Sequence, residues 1–120
     1  MEKIQSFTQL TVWKKGHELV LSVYEATRDF PKEEKYGLID QMRRSSVSIT
    51  SNIAEGFSRI GKKEKIQFYY MAKGSLTELQ NQLLISKDIG YLNRDIFTNL
   101  ISKSIEVHKI LNGLITSIKI

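Results

Sequence analysis

The chain has 120 residues, of which 41% are hydrophobic, no cysteine and a formal net charge of +5. This length and composition suit one domain with a sizeable core, predicted over residues 1–120. The absence of cysteine excludes disulfides, thiol catalysis and cysteine-ligated zinc or iron–sulfur centres. Residues 1–6 lack the apolar stretch of a signal peptide, and no apolar run approaches the roughly 20 residues of a membrane span. We therefore expect a cytoplasmic protein that does not enter the membrane.

Four segments with apolar residues at helical spacing follow one another along the chain. The predicted helices cover about residues 9–29, 33–57, 62–89 and 93–118. Thr8 and Asn93 are candidate N-caps, Gly90 is a candidate left-handed stop, and Pro31 ends the first helix because it disfavours helical backbone in the residue before it. Since no segment alternates with period two, the sequence predicts an all-α, antiparallel up-down-up-down four-helix bundle.

The expected core stripes follow from the same spacing. In the first helix the stripe is Leu10, Trp13, Val20, Tyr24 and Thr27, widened by Leu19 and Val23. In the third helix it is Ile66, Tyr69, Ala72, Leu76, Leu79 and Leu83, broadened by Leu84. The acidic residues Glu33 and Glu34 suit the positive end of the dipole of the second helix. Gly74 and Ser75 lie inside the third helix, where close helix packing is their simplest role.

The second predicted helix has an unusual polar composition. Between Arg43 and Gly56 its polar positions are mostly serine, threonine and asparagine, which are mediocre helix formers because their side chains compete for backbone hydrogen bonds. Such a helix offers small side chains for close approach, together with hydroxyls and an amide that can form hydrogen bonds. Three kinds of partner could use that surface: a neighbouring helix, a second subunit, or a ligand such as RNA.

The positive charge is concentrated in one part of the chain. Residues 35–75 contain eight lysines and arginines against three acidic residues, a surplus equal to the net charge of the whole chain. A local basic field of this kind attracts polyanions. A solvated lysine-bearing face without a ligand is the alternative interpretation.

Several helices carry apolar residues on more than one side. Tyr69, Tyr70 and Met71 are consecutive, so they place aromatic side chains on two faces of the third helix. The first helix is apolar over more than half of its circumference. A helix that is apolar on more than one side is usually buried on more than one side, so the pattern predicts a homo-oligomer. Scattered exposed apolar residues are the alternative.

Residues that could support catalysis or bind a metal are sparse. His17 and His108 lie in different predicted helices, and neither has a carboxylate at the Glu-x-x-His spacing of metal sites in helix bundles. Glu55 and Glu78 could face each other, but neither has a histidine or a second acid beside it. No phosphate-binding loop of the Gly-x-x-x-x-Gly-Lys-Ser/Thr type is present. We expect no catalytic residue, no metal and no cofactor, and therefore a protein that is not an enzyme.

A continuous polar stripe on the second helix has two interpretations. In one it forms a subunit contact, and the structural or interface residues are Trp13, Ser48, Ser51, Asn52, Glu55 and Gly56. In the other it contacts nucleic acid together with the lysines that follow, through Arg43, Arg44, Asn52, Arg59, Lys62, Lys63 and Lys65. Arginine suits the second interpretation because its planar guanidinium can hold phosphate bidentately and stack on bases.

Ion pairing within the helix can account for two of the three arginines. Asp40 precedes Arg44 by four residues, and Glu55 precedes Arg59 by four, in the favourable order with the acid first. Arg43 has apolar residues at the corresponding positions, so it has no such partner.

Several motifs resemble those of one protein family. They are Phe7–Trp13, Phe30-Pro31, Tyr36-Gly37-Leu38, Arg43-Arg44, Ser51–Gly56, Gly74-Ser75 and Gly90-Tyr91-Leu92. In these residues the chain resembles the four-helix-bundle family encoded by intervening sequences within bacterial 23S ribosomal RNA genes, sometimes labelled S23 ribosomal protein. The similarity covers roughly residues 7–92. Thr50 stands where the family pattern usually has proline, so the second helix is expected to be straighter.

The resemblance implies a fold and points to a function. Family members look like four-helix subunits assembled into ring-like homopentamers. The related accessory variability protein of diversity-generating retroelements has this shape and binds nucleic acid and a reverse transcriptase. Charge and resemblance together predict a non-catalytic homo-oligomer, as a pentamer, that binds structured RNA or scaffolds an RNA–protein assembly. A scaffold that binds only another protein is the alternative, and an enzyme acting on RNA is the least supported class.

Overall fold

Four α-helices account for most of the structure, a computed structural model that describes residues 3–119. They are α1 (Thr11–Thr27), α2 (Leu38–Ser58), α3 (Lys62–Asp88) and α4 (Arg94–Lys119). Short 3-10 turns at Phe7–Gln9 and Lys32–Glu34 precede α1 and α2. No strand is present between residues 3 and 119, which confirms the all-α prediction. Over the same residues, no helix is long and apolar enough to cross a membrane.

Contacts between helices establish their relative directions. The hydroxyls of Ser48 and Ser75 are 2.8 Å apart, and Ser45 Oγ donates to Gln82 Oε1 at 2.7 Å. Since the earlier residue in α2 meets the later residue in α3, these helices run antiparallel. Contacts between α1 and α2, between α3 and α4, and between α1 and α4 also join earlier residues of one helix to later residues of the other. These three pairs of helices are therefore antiparallel as well. Each helix packs against two neighbours in a bundle 46 Å long, which confirms the up-down-up-down arrangement.

The core lies between the four helices and consists of apolar residues at helical spacing. The stripe predicted for α3 is buried from Tyr69 to Leu83, whereas Leu84, which was expected to broaden it, is exposed. In α1 the predicted residues Leu19, Val20, Val23 and Thr27 are buried. Trp13 is only half-buried at the edge of the core, and Tyr24 is 38% exposed, so its predicted place in the core was wrong. The predicted apolar stripe of α1 is broad, and packing against α2 and α4 determines which of its residues are buried.

The start of α1 is later than predicted, because residues before it form a separate turn. Ser6 Oγ accepts a hydrogen bond from the backbone N–H of Thr8, and the side chain of Gln9 accepts one from the backbone N–H of Ser6. This capping box belongs to the 3-10 turn. The N-cap of α1 itself is Leu10, which offers no side-chain hydrogen bond, so the prediction of Thr8 was wrong. Leu10 is extended and separates the turn from α1. The helix also ends earlier than predicted, at Thr27, ahead of the only proline.

The second helix begins at Leu38, later than the predicted start at Glu33. Lys32–Glu34 form a 3-10 turn, and the carboxylate of Glu34 accepts a hydrogen bond from the backbone N–H of Leu38 at 3.2 Å. The same carboxylate accepts a bond from the hydroxyl of Tyr91 at 2.8 Å. An acid therefore does stabilise the start of α2, but from the preceding turn. From Leu38 to Ser58 the helix is unbroken.

The turn between α3 and α4 follows the predicted signals. Gly90 has a φ of +89°, and the backbone N–H groups of Gly90 and Tyr91 complete a Schellman motif on the last turn of α3. Asn93 Oδ1 accepts a hydrogen bond from the backbone N–H of Ile96 at 2.8 Å, as expected of an N-cap. Both residues therefore act as the sequence predicted.

Candidate nucleic-acid interface

The serine- and asparagine-rich part of α2 makes most of its hydrogen bonds within the subunit. Ser45 and Gln82 are both buried, and Ser48 meets Ser75 at the half-buried edge of the same helix pair. Asn52 Nδ2 donates to the backbone oxygen and the hydroxyl of Ser48 at 2.8 and 3.1 Å. Of the three partners considered for this surface, the neighbouring helix α3 accounts for Ser45 and Ser48, whereas Asn52 binds within α2 itself.

Other members of the predicted interface set lie in different environments. Gly56 is buried against the ring of Tyr69, whereas Ser51 and Glu55 are exposed. Trp13 is half-buried, and its ring stacks on that of His17 with 4.7 Å between centroids. Gly56 is therefore explained by packing inside the subunit, and Ser51 and Glu55 remain accessible.

Arg43, which lacks a partner in its own helix, is bound to α1. Its Nε donates to Thr27 Oγ1 at 3.0 Å, and its guanidinium carbon lies 4.6 Å from the ring centroid of Tyr24. Thr27 is buried, and its hydroxyl donates in turn to the carbonyl of Val23 at 2.8 Å. Arg43 thus fastens the end of α1 to α2. Helical spacing could not reveal this contact, because the partners belong to another helix.

Arg44 and Arg59 form the ion pairs that the sequence predicts. Arg44 Nε lies 3.1 Å from both carboxylate oxygens of Asp40, and an Arg59 nitrogen lies 3.3 Å from Glu55 Oε2. Arg59 also lies over the ring of Phe68. The side chain of Arg44 is 80% exposed, so much of its guanidinium remains open to solvent despite the ion pair. Exposed pairs of this kind contribute little to stability and compete weakly with a phosphate.

The three lysines at the start of α3 have different environments. Lys65 Nζ donates to the carbonyls of Gly56 and Phe57 at 3.2 and 2.7 Å, which satisfies the last carbonyls of α2. Lys62 and Lys63 are exposed, and within residues 3–119 no carboxylate forms an ion pair with either. Both lie in the first turn of α3, where the positive end of the helix dipole disfavours cations.

The predicted nucleic-acid residues therefore fall into two groups at opposite ends of α2. Arg43 and Arg44 lie near its start, while Arg59 and the exposed lysines lie just beyond its end. At 1.5 Å per residue, the fifteen-residue separation of Arg44 and Arg59 corresponds to about 22 Å. Asn52 lies between the two groups with its amide donating to Ser48. The structure thus brings Arg59 and the exposed lysines together at the turn between α2 and α3. Arg43 and Arg44 lie apart from them, near the start of α2.

The outer face of α3 carries exposed apolar residues. Tyr70 and Met71 are 44% and 50% exposed, and Leu84 and Ile85 are also exposed further along the helix. Gly74 lies between them, and a β-carbon there would meet no atom within 4 Å. Close packing of Gly74 within the subunit, which the sequence suggested, is therefore not found. Between residues 3 and 119, no three histidine, cysteine or acidic residues approach one another as metal ligands do.

The fold and the two basic groups define a four-helix bundle with an accessible cationic turn. A family model described as 23S rRNA-intervening sequence protein matches residues 8–113, and the chain belongs to this family. The resemblance seen in the sequence is thereby confirmed.

The fold is similar to that of solved structures, and one of them illustrates the likeness. It is the crystal structure of a protein with unknown function from the S23 ribosomal protein family of Bacteroides thetaiotaomicron VPI-5482, with a TM-score of 0.79 and 21% sequence identity. The match covers 88% of this chain and 98% of that chain. At this identity the likeness supports the fold. No curated protein matches the chain.

Proposed function

We propose that the protein is a non-catalytic, homo-oligomeric cytoplasmic module that binds structured RNA or holds RNA and protein together. The observation that carries this proposal is the position of Lys62 and Lys63. Two exposed cations occupy the first turn of α3, where the helix dipole makes each unfavourable by about 0.3–1 kcal/mol. Between residues 3 and 119 no carboxylate pairs with either lysine to offset this cost, whereas a bound polyanion would offset it.

The arginines and lysines divide into two roles under this proposal. Lys62, Lys63, Arg44 and Arg59 are accessible enough to neutralise phosphates. Arg43, Asn52 and Lys65 bind other parts of the subunit, and they shape and position the surface. Contacts with phosphates give affinity with little base readout.

Self-association would raise the affinity for RNA, because several copies of a weak basic site could bind one RNA molecule at the same time. The outer face of α3, with Tyr70, Met71 and Gly74, is the surface we assign to the subunit contact. A glycine inside an exposed helix lowers stability by about 0.5–1 kcal/mol relative to alanine. Close packing of a second helix, which the missing β-carbon permits, would offset this cost. A pentamer, as the family resemblance implies, would present five copies of the cationic turn to one RNA.

Fluorescence anisotropy with a structured RNA hairpin, titrated at several salt concentrations, tests the RNA proposal. The variant Lys62→Ala/Lys63→Ala is compared with Lys14→Ala/Lys109→Ala, which removes the same charge from exposed positions of α1 and α4. We expect only the first variant to weaken binding and to reduce the salt dependence by roughly one unit of slope per lost phosphate contact. Equal losses in both variants would show that only overall charge matters.

A scaffold that binds protein and no nucleic acid is the second candidate, in which the exposed apolar face of α3 binds a different protein instead of a second subunit. A protein confirmed as an oligomer by light scattering that binds no RNA hairpin at low salt would select this candidate.

A further inference from the structure

The most exposed apolar side chain of the described residues lies in the middle of the cationic turn. Ile60 is 99% exposed, in the short connection between α2 and α3. We call residues 58–63 the α2–α3 tip. Ile60 contributes nothing to the core, and an isoleucine is an unusual choice for a turn, where glycine, asparagine or serine fit the backbone more readily.

Contacts with the bundle hold the α2–α3 tip in place. The backbone N–H of Arg59 donates to the carbonyl of Gly56 at 3.3 Å, and the Arg59 guanidinium lies over the ring of Phe68. On the other side, Lys65 binds the last carbonyls of α2. Ile60 is therefore presented on a braced turn, between Arg59 and the two exposed lysines.

We propose that Ile60 makes the site selective for RNA that has unpaired bases, by packing against the open face of a base while Lys62 and Lys63 hold adjacent phosphates. This inference rests on the proposed RNA-binding function. Base faces are stacked and hidden in a paired helix but are accessible in loops and bulges. Contact with a base face is tolerant of sequence because every base has one. A membrane surface fits the tip less well, since even a whole lipid chain gives only marginal membrane binding and one isoleucine is much smaller.

Two RNAs with equal numbers of phosphates separate this contact from simple charge attraction. One is a hairpin with an unpaired loop, and the other is a blunt duplex. We expect Ile60→Ser to lower hairpin affinity about tenfold, to the level of the duplex, and to leave duplex binding unchanged. The slope of affinity against salt stays the same, because isoleucine neutralises no phosphate. Ile60→Leu should retain the preference for the hairpin.

A matched control is available at the other end of α3. Ile89 is also more than half exposed, so Ile89→Ser changes a similar surface away from the tip, and we expect no effect on either RNA. Thermal melting and light scattering establish that each variant keeps its fold and mass. Since Ile60 makes no contribution to the core, its substitution should leave both unchanged.

Other results would overturn the inference in distinguishable ways. An unchanged hairpin-to-duplex ratio in Ile60→Ser, with both RNAs weakened by Lys62→Ala/Lys63→Ala, rejects the role of Ile60 and leaves RNA binding standing. Failure of the unmodified protein to bind either RNA rejects both. If Ile60→Ser no longer binds phosphatidylserine vesicles that the unmodified protein binds, and still binds both RNAs normally, the tip is a membrane contact. If Ile60→Ser changes the mass measured by light scattering, the tip is a subunit contact.

Discussion

A β-carbon on Gly56 would lie 2.6 Å from Cε1 and 2.9 Å from Cδ1 of Tyr69, distances that no ordinary contact permits. The glycine at the end of α2 therefore lets the aromatic ring of α3 close onto the helix. We predict that Gly56→Ala lowers the free energy of unfolding by about 1–3 kcal/mol, as overpacking does, despite the better helix propensity of alanine. Urea unfolding monitored by circular dichroism measures the change.

Gly113 provides the control for that experiment. It lies on the exposed side of α4, and a β-carbon there would meet no atom within 4 Å. Gly113→Ala should raise the free energy of unfolding by up to about 1 kcal/mol, through helix propensity alone. If both substitutions stabilise the protein, the approach of Tyr69 to Gly56 is looser than the structure shows.

Gly74 tests the assigned subunit contact. Within one subunit alanine would fit at this position and should stabilise α3 by about 0.5–1 kcal/mol. If a second subunit packs closely there, the added methyl group separates the helices, and we expect Gly74→Ala to shift the mass measured by light scattering toward the monomer. A more stable protein of unchanged mass would place the subunit contact elsewhere.

Arg43 and Arg44 are adjacent in sequence but should behave differently when replaced. Arg43 binds Thr27 and Tyr24, so Arg43→Ala removes a hydrogen bond and a stacked contact and should lower the free energy of unfolding by about 1–2 kcal/mol. Arg44→Ala loses only an exposed ion pair and should change stability by less than about 1 kcal/mol while weakening RNA binding. Urea unfolding and anisotropy on the same samples separate the effects, and a stable Arg43→Ala protein would contradict this assignment.

The sequence predicted those features that depend on neighbours along the chain. Gly90 and Asn93 could be recognised because a left-handed stop and an N-cap are set by local backbone geometry. The pairing of Arg44 with Asp40 was predictable for the same reason. The partners of Arg43 and Lys65 were not, since each binds a group that only tertiary packing brings near. The sequence placed Ile60 in the connection between the second and third helices, but its almost complete exposure depends on how those helices meet.

Ionisation of Tyr69 should make the fold sensitive to alkaline pH. Burial raises the pKa of this hydroxyl above its ordinary value, so the folded state disfavours the phenolate more than the unfolded state does. The resulting stability is fully present below about pH 10, where an unfolded tyrosine ionises, and is lost as the pH rises through the folded-state pKa. We expect the free energy of unfolding to fall above about pH 10, and to fall less steeply in Tyr69→Phe.

Tyr91 must be separated from Tyr69 in that measurement, because its pKa is also raised. The first cause there is its hydrogen bond to Glu34, with burial and the nearby carboxylates adding to it. Ionisation of either tyrosine therefore lowers the free energy of unfolding as the pH rises. Tyr91→Phe is the second variant needed to separate the two contributions. Urea unfolding from about pH 8 to pH 11 on the three proteins distinguishes them. Equal slopes in the unmodified protein and in Tyr69→Phe would show that the Tyr69 hydroxyl reaches solvent, and that the α2–α3 contact at Gly56 opens enough to hydrate it.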